Sequence, residues 1–187
     1  DAVMVGRGTL EIEQMRMGID AAQRARRTAE GKTPSPLRVI VSGSGRLDPA
    51  SRIFRTADAP IVVFSTEAMP EATREALRGL AEIDLAPRLD MRETLAKLYG
   101  RHGVRRLLCE GGPALLRSLL EQNLVDEINL TFCPRVFGGE EAPSLTGRPG
   151  AFLPASIECR LEAFETIDGE GFARYRVLKP CAVASRS

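Results

Sequence analysis

Short apolar runs alternate with amphipathic stretches through the first two thirds of the chain. The apolar runs are rich in β-branched residues, as expected for strands covered on both faces of a parallel sheet. They lie at residues 2–5, 37–41 and 61–64, a further strand is predicted at 104–109, and residues 81–85 are a weaker strand candidate. Helical composition or spacing predicts helices at about residues 19–30, 70–80, 91–99 and 114–122. This alternation predicts consecutive βα units.

The last third of the chain has a different pattern. A strand is predicted at residues 127–133, and the glycine- and proline-rich segment 136–154 predicts a long loop. Two further strands, at 157–166 and 172–178, are joined by Asp168-Gly169-Glu170-Gly171, whose glycines accept the positive φ of a hairpin turn. The sequence therefore predicts a three-layer α/β/α fold with a mostly parallel central sheet and a C-terminal antiparallel hairpin.

The length of 187 residues suits one domain, which we expect to cover residues 1–180, with 181–187 as a C-terminal tail. An apolar run begins immediately after Asp1, which is not an initiator methionine. We therefore expect residues to be missing upstream of Asp1.

Composition excludes several classes of protein. The 26 Lys and Arg residues nearly balance the 25 Asp and Glu residues, leaving a net charge of +1, which argues against a nucleic-acid binder. A hydrophobic content of 43% argues against a disordered chain. The apolar runs fall far short of the roughly 20 residues that span a bilayer. We expect a soluble, cytoplasmic domain.

Four cysteines and one histidine limit the possible chemistry. Cys109, Cys133, Cys159 and Cys181 are widely spaced, and His102 stands at a predicted helix end, so no zinc site is expected. The cysteines are predicted to be reduced, buried thiols. No Ser-His-Asp or Cys-His arrangement is credible with this single histidine. An enzyme of this composition would rely on a bound cofactor.

Three glycine-containing loops each follow a predicted strand. They are Gly6-Arg7-Gly8-Thr9, Ser42-Gly43-Ser44-Gly45 and Glu110-Gly111-Gly112-Pro113. Ligands of open α/β sheets bind beyond the carboxyl ends of the strands, so three such loops favour one extended, phosphate-bearing ligand. A simple turn remains the favoured interpretation of the first loop taken alone, which lacks the third glycine of a dinucleotide fingerprint.

The third loop is the strongest local signal. Gly111 and Gly112 let a ligand approach the backbone, and the helix that begins at once presents first-turn N–H groups suited to phosphate. A tight packing turn remains an equal alternative. Glu110 would repel a phosphate, so we expect it to bind N–H or O–H groups of a second ligand.

These residues resemble a known family. The segment from Cys109 to Leu115, together with Leu124-Val125-Asp126-Glu127, Pro134 and Gly138-Gly139, is similar to the riboflavin-biosynthesis pyrimidine reductases. These are the C-terminal reductase domains of bifunctional deaminase/reductases and have a dihydrofolate-reductase-like fold. Residues 1–9 match the early strand and turn of the same family. The resemblance covers nearly the whole chain.

The resemblance implies an NADPH-dependent reduction of a 5-amino-6-(5-phosphoribosylamino)pyrimidine to its ribitylamino form. Donor and acceptor carbons would be held about 3–3.5 Å apart. It also implies a homodimer; it does not identify a catalytic side chain, and no metal is expected. Glu110 would face the substrate. The implied cofactor-binding residues are Gly6, Gly8, Thr9, Glu13, Gly43, Gly111, Gly112, Pro113, Ala114, Leu115, Leu116, Arg117 and Ser118.

The segment after Thr9 departs from the family pattern. Glu13 is expected to replace one acid of the family's acidic pair, and Arg16 the arginine that binds the substrate phosphate. The family's opening strand, with its Ser-Leu-Asp-Gly-like segment, has no counterpart, so we expect either that the N-terminal strand is missing from this chain or that this relative lacks part of the site. Thr66 and Arg46 are weaker candidates for contacts with an adenosine 2′-phosphate.

Two alternatives stay open at this point. The chain could be a reductase of the same fold that acts on dihydrofolate or another small imine or carbonyl compound. It could also be a non-catalytic nucleotide-binding module.

Overall fold

A computed structural model describes residues 1–13, 15–56, 59–136, 138–139, 142, 144–147, 153 and 156–178. The chain divides into two compact units, Asp1–Leu116 and Arg117–Ser187. In the described part of the chain, no helix is long and apolar enough to cross a membrane.

The first unit is built on a five-stranded parallel sheet. Its strands are β1 (Ala2–Gly6), β2 (Leu37–Ser42), β3 (Ile61–Thr66), β4 (Glu82–Ala86) and β5 (Leu107–Cys109). They are arranged in the order β4-β3-β2-β1-β5. Since all the neighbours are parallel, the carboxyl ends of β1, β2 and β5 lie at one edge of the sheet.

Within the described residues, six helices follow or connect these strands. They are α1 (Arg7–Glu13), α2 (Ala21–Ala29), α3 (Arg52–Arg55), α4 (Glu71–Ala76), α5 (Met91–His102) and α6 (Pro113–Glu121).

One face of the sheet packs against the early helices. Val5, Ile40 and Val63 lie in register across β1, β2 and β3 and are fully buried. They form one cluster with Leu10 of α1 and with Leu77, which directly follows α4. These helices therefore cover one face of the sheet.

The opposite face is covered by α5. Met4, Val39 and Val62 lie in register on that face and are buried. Asp84, one strand further on, forms an ion pair with Lys97 of α5 at 2.6 Å. Helices thus cover both faces of a mostly parallel sheet, and the predicted fold class is confirmed.

Local signals explain the ends of two helices. Asp20 accepts a hydrogen bond from the Gln23 N–H, and the Gln23 side chain accepts one from the Asp20 N–H, a reciprocal cap that starts α2. Asp90 caps α5, and Gly103, with φ of 65°, ends it. The predicted position of His102 at a helix end is confirmed.

The turn predicted for residues 6–9 is wrong, because α1 begins at Arg7. Two contacts favour the helix. Leu10 is only 2% exposed in the core, and Arg7 pairs with Glu11 one turn later at 2.7 Å. Gly8 and Thr9 therefore lie in the first turn of a helix rather than in a loop.

Three other elements also differ from prediction. The short helix α3, with Ile53 and Phe54 buried, was not predicted. Helix α4 is shorter than the predicted 70–80, since turns follow it and Gly79 has φ of 78°. Strand β5 begins at Leu107 rather than at residue 104.

The second unit contains a three-stranded antiparallel sheet. Its strands are β6 (Glu127–Phe132), β7 (Cys159–Ile167) and β8 (Glu170–Val177), in the order β6-β8-β7. The predicted hairpin is confirmed, with Asp168 (φ 51°) and Gly169 (φ 83°) at its turn. The antiparallel sheet is larger than this hairpin because β6 pairs with β8.

Most of the loop predicted at 136–154 and all of the predicted tail at 181–187 lie outside the described residues.

Candidate functional site

The carboxyl ends of β1 and β5 are joined by backbone hydrogen bonds. The Gly6 N–H donates to the Gly111 carbonyl at 3.1 Å, and the Glu110 N–H donates to the Met4 carbonyl at 2.9 Å. Gly111 has φ of 83°, a conformation that favours glycine. The first and third glycine-containing segments therefore meet at one edge of the sheet.

Thr9 and Gly112 make the closest contact between these segments. The Gly112 N–H donates a hydrogen bond of 3.1 Å to Thr9 Oγ1. A Cβ atom at position 112 would lie 2.6 Å from the same oxygen, so a side chain there would displace Thr9. Because Oγ1 already accepts this bond, the Thr9 hydroxyl proton can be donated to another acceptor.

Helix α6 begins at this contact. The Gly112 carbonyl accepts the Leu116 N–H at 3.0 Å, which makes Gly112 the N-cap residue, and Pro113 occupies the first helical position. Proline has no N–H and the Gly112 N–H is bound to Thr9, so neither of these two residues offers a free backbone N–H to a ligand. The start of α6, which was predicted as a phosphate site, therefore has fewer free backbone N–H groups than expected.

Gly6 is close to this helix. A Cβ atom at Gly6 would lie 3.7 Å from the Leu115 Cβ atom, an ordinary van der Waals distance. Leu115 is buried. The helix start is thus packed directly against the end of β1.

The second glycine loop, Ser42–Gly45, follows β2 and is called the Gly43 loop below. Gly43 and Ser44 are exposed, whereas Gly45 is buried. A Cβ atom at Gly45 would lie 2.3 Å from the Met69 Cβ atom, and φ at Gly45 is 61°, so only glycine fits there. The loop leaves its two middle residues open to solvent.

Glu110 is exposed at the same edge of the sheet. Its neighbour Cys109 is partly buried, and burial raises the pKa of the Cys109 thiol. The Gly111 N–H opposes this increase, while the Glu110 carboxylate adds to it. Cys109 is therefore a neutral thiol at physiological pH.

Two of the predicted binding residues, Glu13 and Arg16, lie at the end of α1 and in the segment after it. Arg16 is exposed between α1 and α2. Glu13 ends α1, and its side chain lies outside the described part of the chain.

The remaining predicted cofactor residues lie further along α6. Arg117 forms an ion pair with Glu121 at 2.8 Å in the later turns of the helix. Leu116 and Ser118 lie beside it and are partly buried.

The structure reveals hydroxyl contacts that the sequence analysis missed. Ser65 Oγ donates to the Ser42 carbonyl at 2.6 Å, and Thr66 Oγ1 donates to the Gly43 carbonyl at 2.7 Å. Thr66 thus binds the Gly43 loop itself, while Arg46, the other weak candidate, is exposed. Hydroxyl residues at the ends of two neighbouring strands were the signal that could have revealed these bonds.

The prediction of buried cysteines is wrong for two of them. Cys133, which follows β6, and Cys159, in β7, are exposed, and all nine residues of β7 are exposed with it. Cys109 is partly buried, and all three are free thiols. Cys181 lies outside the described residues.

The fold defines an α/β protein with a parallel sheet, and ligands of such proteins bind beyond the carboxyl ends of the strands, where these segments meet. The sequence pattern of the RibD C-terminal domain family matches residues 1–171. The chain belongs to the RibD C-terminal domain family, and the resemblance found in the sequence is confirmed. Membership of this reductase family implies a nicotinamide cofactor.

Two curated relatives are archaeal proteins named 2,5-diamino-6-ribosylamino-4(3H)-pyrimidinone 5′-phosphate reductase. The chain is 39% identical to the one from Archaeoglobus fulgidus over 92% of its own length and 77% of the relative's. It is 32% identical to the one from Methanothermobacter thermautotrophicus over 95% of its own length and 80% of the relative's.

A solved structure shares the fold. The pyrimidine reductase-like protein from Corynebacterium diphtheriae superposes with a TM-score of 0.81 and 23% identity. The match covers 96% of this chain and 76% of that protein.

Proposed function

We propose that this chain is a cytoplasmic, NADPH-dependent reductase of riboflavin biosynthesis. Its substrate is a 5-amino-6-(5-phosphoribosylamino)pyrimidine, which is converted to the ribitylamino form. The observation that carries the proposal is the 3.1 Å contact of Thr9 with Gly112, which brings two distant glycine segments into one site at the edge of the sheet. Relatives at up to 39% identity bear the name of this activity.

The donors at this edge fit a nucleotide with several phosphate groups. Gly43 and Ser44 present exposed backbone, Thr9 has a hydroxyl proton to donate, and the first turn of α6 carries a partial positive charge. None of these donors is an ionised side chain, so the charge of the ligand would be neutralised mainly by backbone dipoles. This donor set suits an extended dinucleotide.

The roles of the residues follow from their positions. When bound, the reduced nicotinamide would supply a hydride to C1′ of the opened sugar, and a proton from solvent would complete the reduction at the attached nitrogen. Thr9 and the start of α6 hold the cofactor phosphates, and the Gly43 loop holds its adenosine end. The exposed Glu110 carboxylate accepts hydrogen bonds from N–H or O–H groups of the substrate and so orients it. Arg16 is the proposed contact for the substrate phosphate.

A substrate panel tests this proposal. Oxidation of NADPH would be followed by the loss of its near-ultraviolet absorbance, with the deaminated and undeaminated ribosylaminopyrimidine phosphates and with dihydrofolate. Turnover with either pyrimidine phosphate is expected. Turnover with dihydrofolate alone would assign the site to another reductase activity. NADPH binding without any turnover would show that the chain is a non-catalytic nucleotide-binding module.

The proposed enzyme is a homodimer. The outer strand β7 has all nine of its residues exposed, and its outer edge is unpaired within the described three-stranded sheet. Such an edge can pair with a second copy of the same strand about a two-fold axis. Light scattering of the purified protein is expected to give twice the chain mass of 20.4 kDa, and a monomer mass would refute this assembly.

A further inference from the structure

Three side-chain hydroxyl groups form hydrogen bonds that fix the conformation of the Gly43 loop. Ser65 Oγ and Thr66 Oγ1, at the end of β3, donate to the carbonyls of Ser42 and Gly43. The Gly45 N–H donates to Ser42 Oγ at 3.1 Å and also to the Ser42 carbonyl at 3.3 Å. The loop is therefore tied at two successive carbonyls on its β3 side and at its last amide.

These bonds determine where two backbone amides point. A trans peptide unit is planar, so its N–H points opposite to its C=O. Because the Ser42 and Gly43 carbonyls are both held toward β3, the N–H groups of Gly43 and Ser44 both point away from β3. Successive N–H groups with a common direction form a concavity that binds anions.

Gly43 makes this support necessary. A Cβ atom at Gly43 would meet nothing within 4 Å, so no packing contact selects its conformation. Glycine populates more backbone conformations than any other residue, and each alternative would turn one of the two amides aside. The hydroxyl bonds from β3, together with the bonds from the Gly45 N–H to Ser42, select the arrangement that presents both amides together.

Thr66 itself is held in place. Its Oγ1 accepts the Ala68 N–H at 3.3 Å, and its carbonyl accepts the Met69 N–H at 3.0 Å. The side chain is thereby oriented with its hydroxyl proton toward the Gly43 carbonyl. Met69 also contacts the loop, because it occupies the space beside Gly45.

From this geometry we infer that Thr66 is a positioning residue for the nucleotide cofactor, supported by Ser65. Its hydroxyl holds the Gly43 carbonyl so that the amides of Gly43 and Ser44 meet a phosphate oxygen at the adenosine end of the ligand. Thr66 acts through the loop and does not touch the cofactor. This inference rests on the proposed function, in which the Gly43 loop holds NADPH.

The test compares Thr66→Val, Thr66→Ser and Ser65→Ala with the wild type. Valine has the shape of threonine and favours strands, so Thr66→Val removes the hydroxyl with little effect on folding. The matched control is Thr28→Val, which removes a hydroxyl that likewise donates to a backbone carbonyl, that of Arg24 at 3.0 Å, on the exposed helix α2. Thermal unfolding of each variant reports its stability.

The dissociation constant of NADPH, measured by fluorescence titration, is expected to rise about 3- to 10-fold in Thr66→Val, the loss typical of one hydrogen bond. Thr66→Ser should restore the wild-type value, and Ser65→Ala should give a smaller increase. KM for NADPH should rise by a larger factor than kcat falls. In the ligand-free protein, amide hydrogen exchange at residues 43–45 should accelerate in Thr66→Val and not in Thr28→Val.

Two results would overturn the inference. If the wild type binds NADPH and Thr66→Val binds it equally well, Thr66 has no positioning role and the proposed function stands. If the wild type binds no NADPH, the proposed function fails and the inference fails with it. An equal loss of affinity in Thr28→Val would assign the effect to general destabilisation, which also contradicts the role.

Discussion

The backbone N–H of Gly112 donates to Thr9 Oγ1 across 103 residues of sequence. The bond joins the first turn of α1 to the start of α6, so the two glycine segments that flank β1 and β5 form a single surface. Gly112 is required by this contact, because any Cβ atom would enter the space of the threonine oxygen.

Gly112→Ala should weaken cofactor binding without unfolding the protein. The new Cβ atom would lie 2.6 Å from Thr9 Oγ1, so the threonine must rotate and the hydrogen bond is lost. Isothermal titration should show an affinity for NADPH that is about 10-fold lower. Gly100→Ala is the control, since a Cβ atom added at position 100 in α5 would meet nothing within 4 Å. Equal affinities for NADPH in the two variants would contradict the assigned role of Gly112.

Glu110→Gln should impair turnover more than cofactor binding. The amide keeps the shape of the side chain and removes the charge that accepts substrate hydrogen bonds, so kcat/KM for the pyrimidine should fall about 10- to 100-fold. The NADPH dissociation constant should stay within about 2-fold of the wild type, since an effect on substrate alone leaves cofactor binding intact. Glu75→Gln, on the exposed α4, serves as the control. The reverse pattern, with affinity lost and turnover kept, would place Glu110 against the cofactor instead.

Arg38→Met should destabilise the first unit. Arg38 is 2% exposed, and its guanidinium donates to the Ile53 carbonyl at 2.9 Å and to the Ala59 carbonyl. Methionine leaves these carbonyls without their charged donor, which costs about 2–4 kcal/mol in the free energy of unfolding. Urea titration measures the loss, with Arg26→Met on the solvated α2 as the control. A midpoint equal to that of the wild type would mean that the buried guanidinium does not stabilise the fold.

Cys109 should make stability fall at alkaline pH. Burial raises the pKa of its thiol above the ordinary 9.0, so the unfolded chain ionises first as pH rises. The contribution is fully present below about pH 9 and is lost as pH rises toward the folded pKa, with a slope of at most about 1.4 kcal/mol per pH unit.

The difference in unfolding free energy between the wild type and Cys109→Ala isolates this contribution. Cys133, whose pKa is raised by its hydrogen bond with Glu170, is common to both proteins and cancels. The difference should be constant up to about pH 9. Above that pH it should decrease, because the wild type loses the stability that the Cys109 thiol contributes. A difference that stays flat to high pH would show that Cys109 ionises equally in both states.

Sequence patterns predicted those parts of the fold that depend on local chemistry. Continuous β-branched runs indicated β1, β2 and β3 because strands buried on both faces need apolar residues at every position. Asp168-Gly169 indicated the hairpin because its turn needs positive φ. Helix α1 was missed because Gly6 and Gly8 favour a turn locally, whereas burial of Leu10 decides for the helix.

The candidate site was predicted as three separate loops and not as a set of contacts. Strand order places the ends of β1 and β5 side by side, but no local pattern links Thr9 to Gly112. The hydroxyl bonds from β3 to the Gly43 loop were missed for the same reason. In the sequence, nothing distinguishes Ser65 and Thr66 from other strand residues. Only the parallel register of β2 and β3 shows that they lie beside Ser42 and Gly43.

The most direct test of the central claim is an amide chemical-shift titration of the isotopically labelled protein with NADPH. If the nucleotide lies along the edge formed by β1, β2 and β5, the amides of Thr9, Gly43, Ser44, Gly112 and Leu115 should shift together and saturate at one ligand per chain. The amides near Leu80 and His102, at the opposite end of the strands, should not move. Shifts confined to that opposite end, or no shifts at saturating NADPH, would contradict the account.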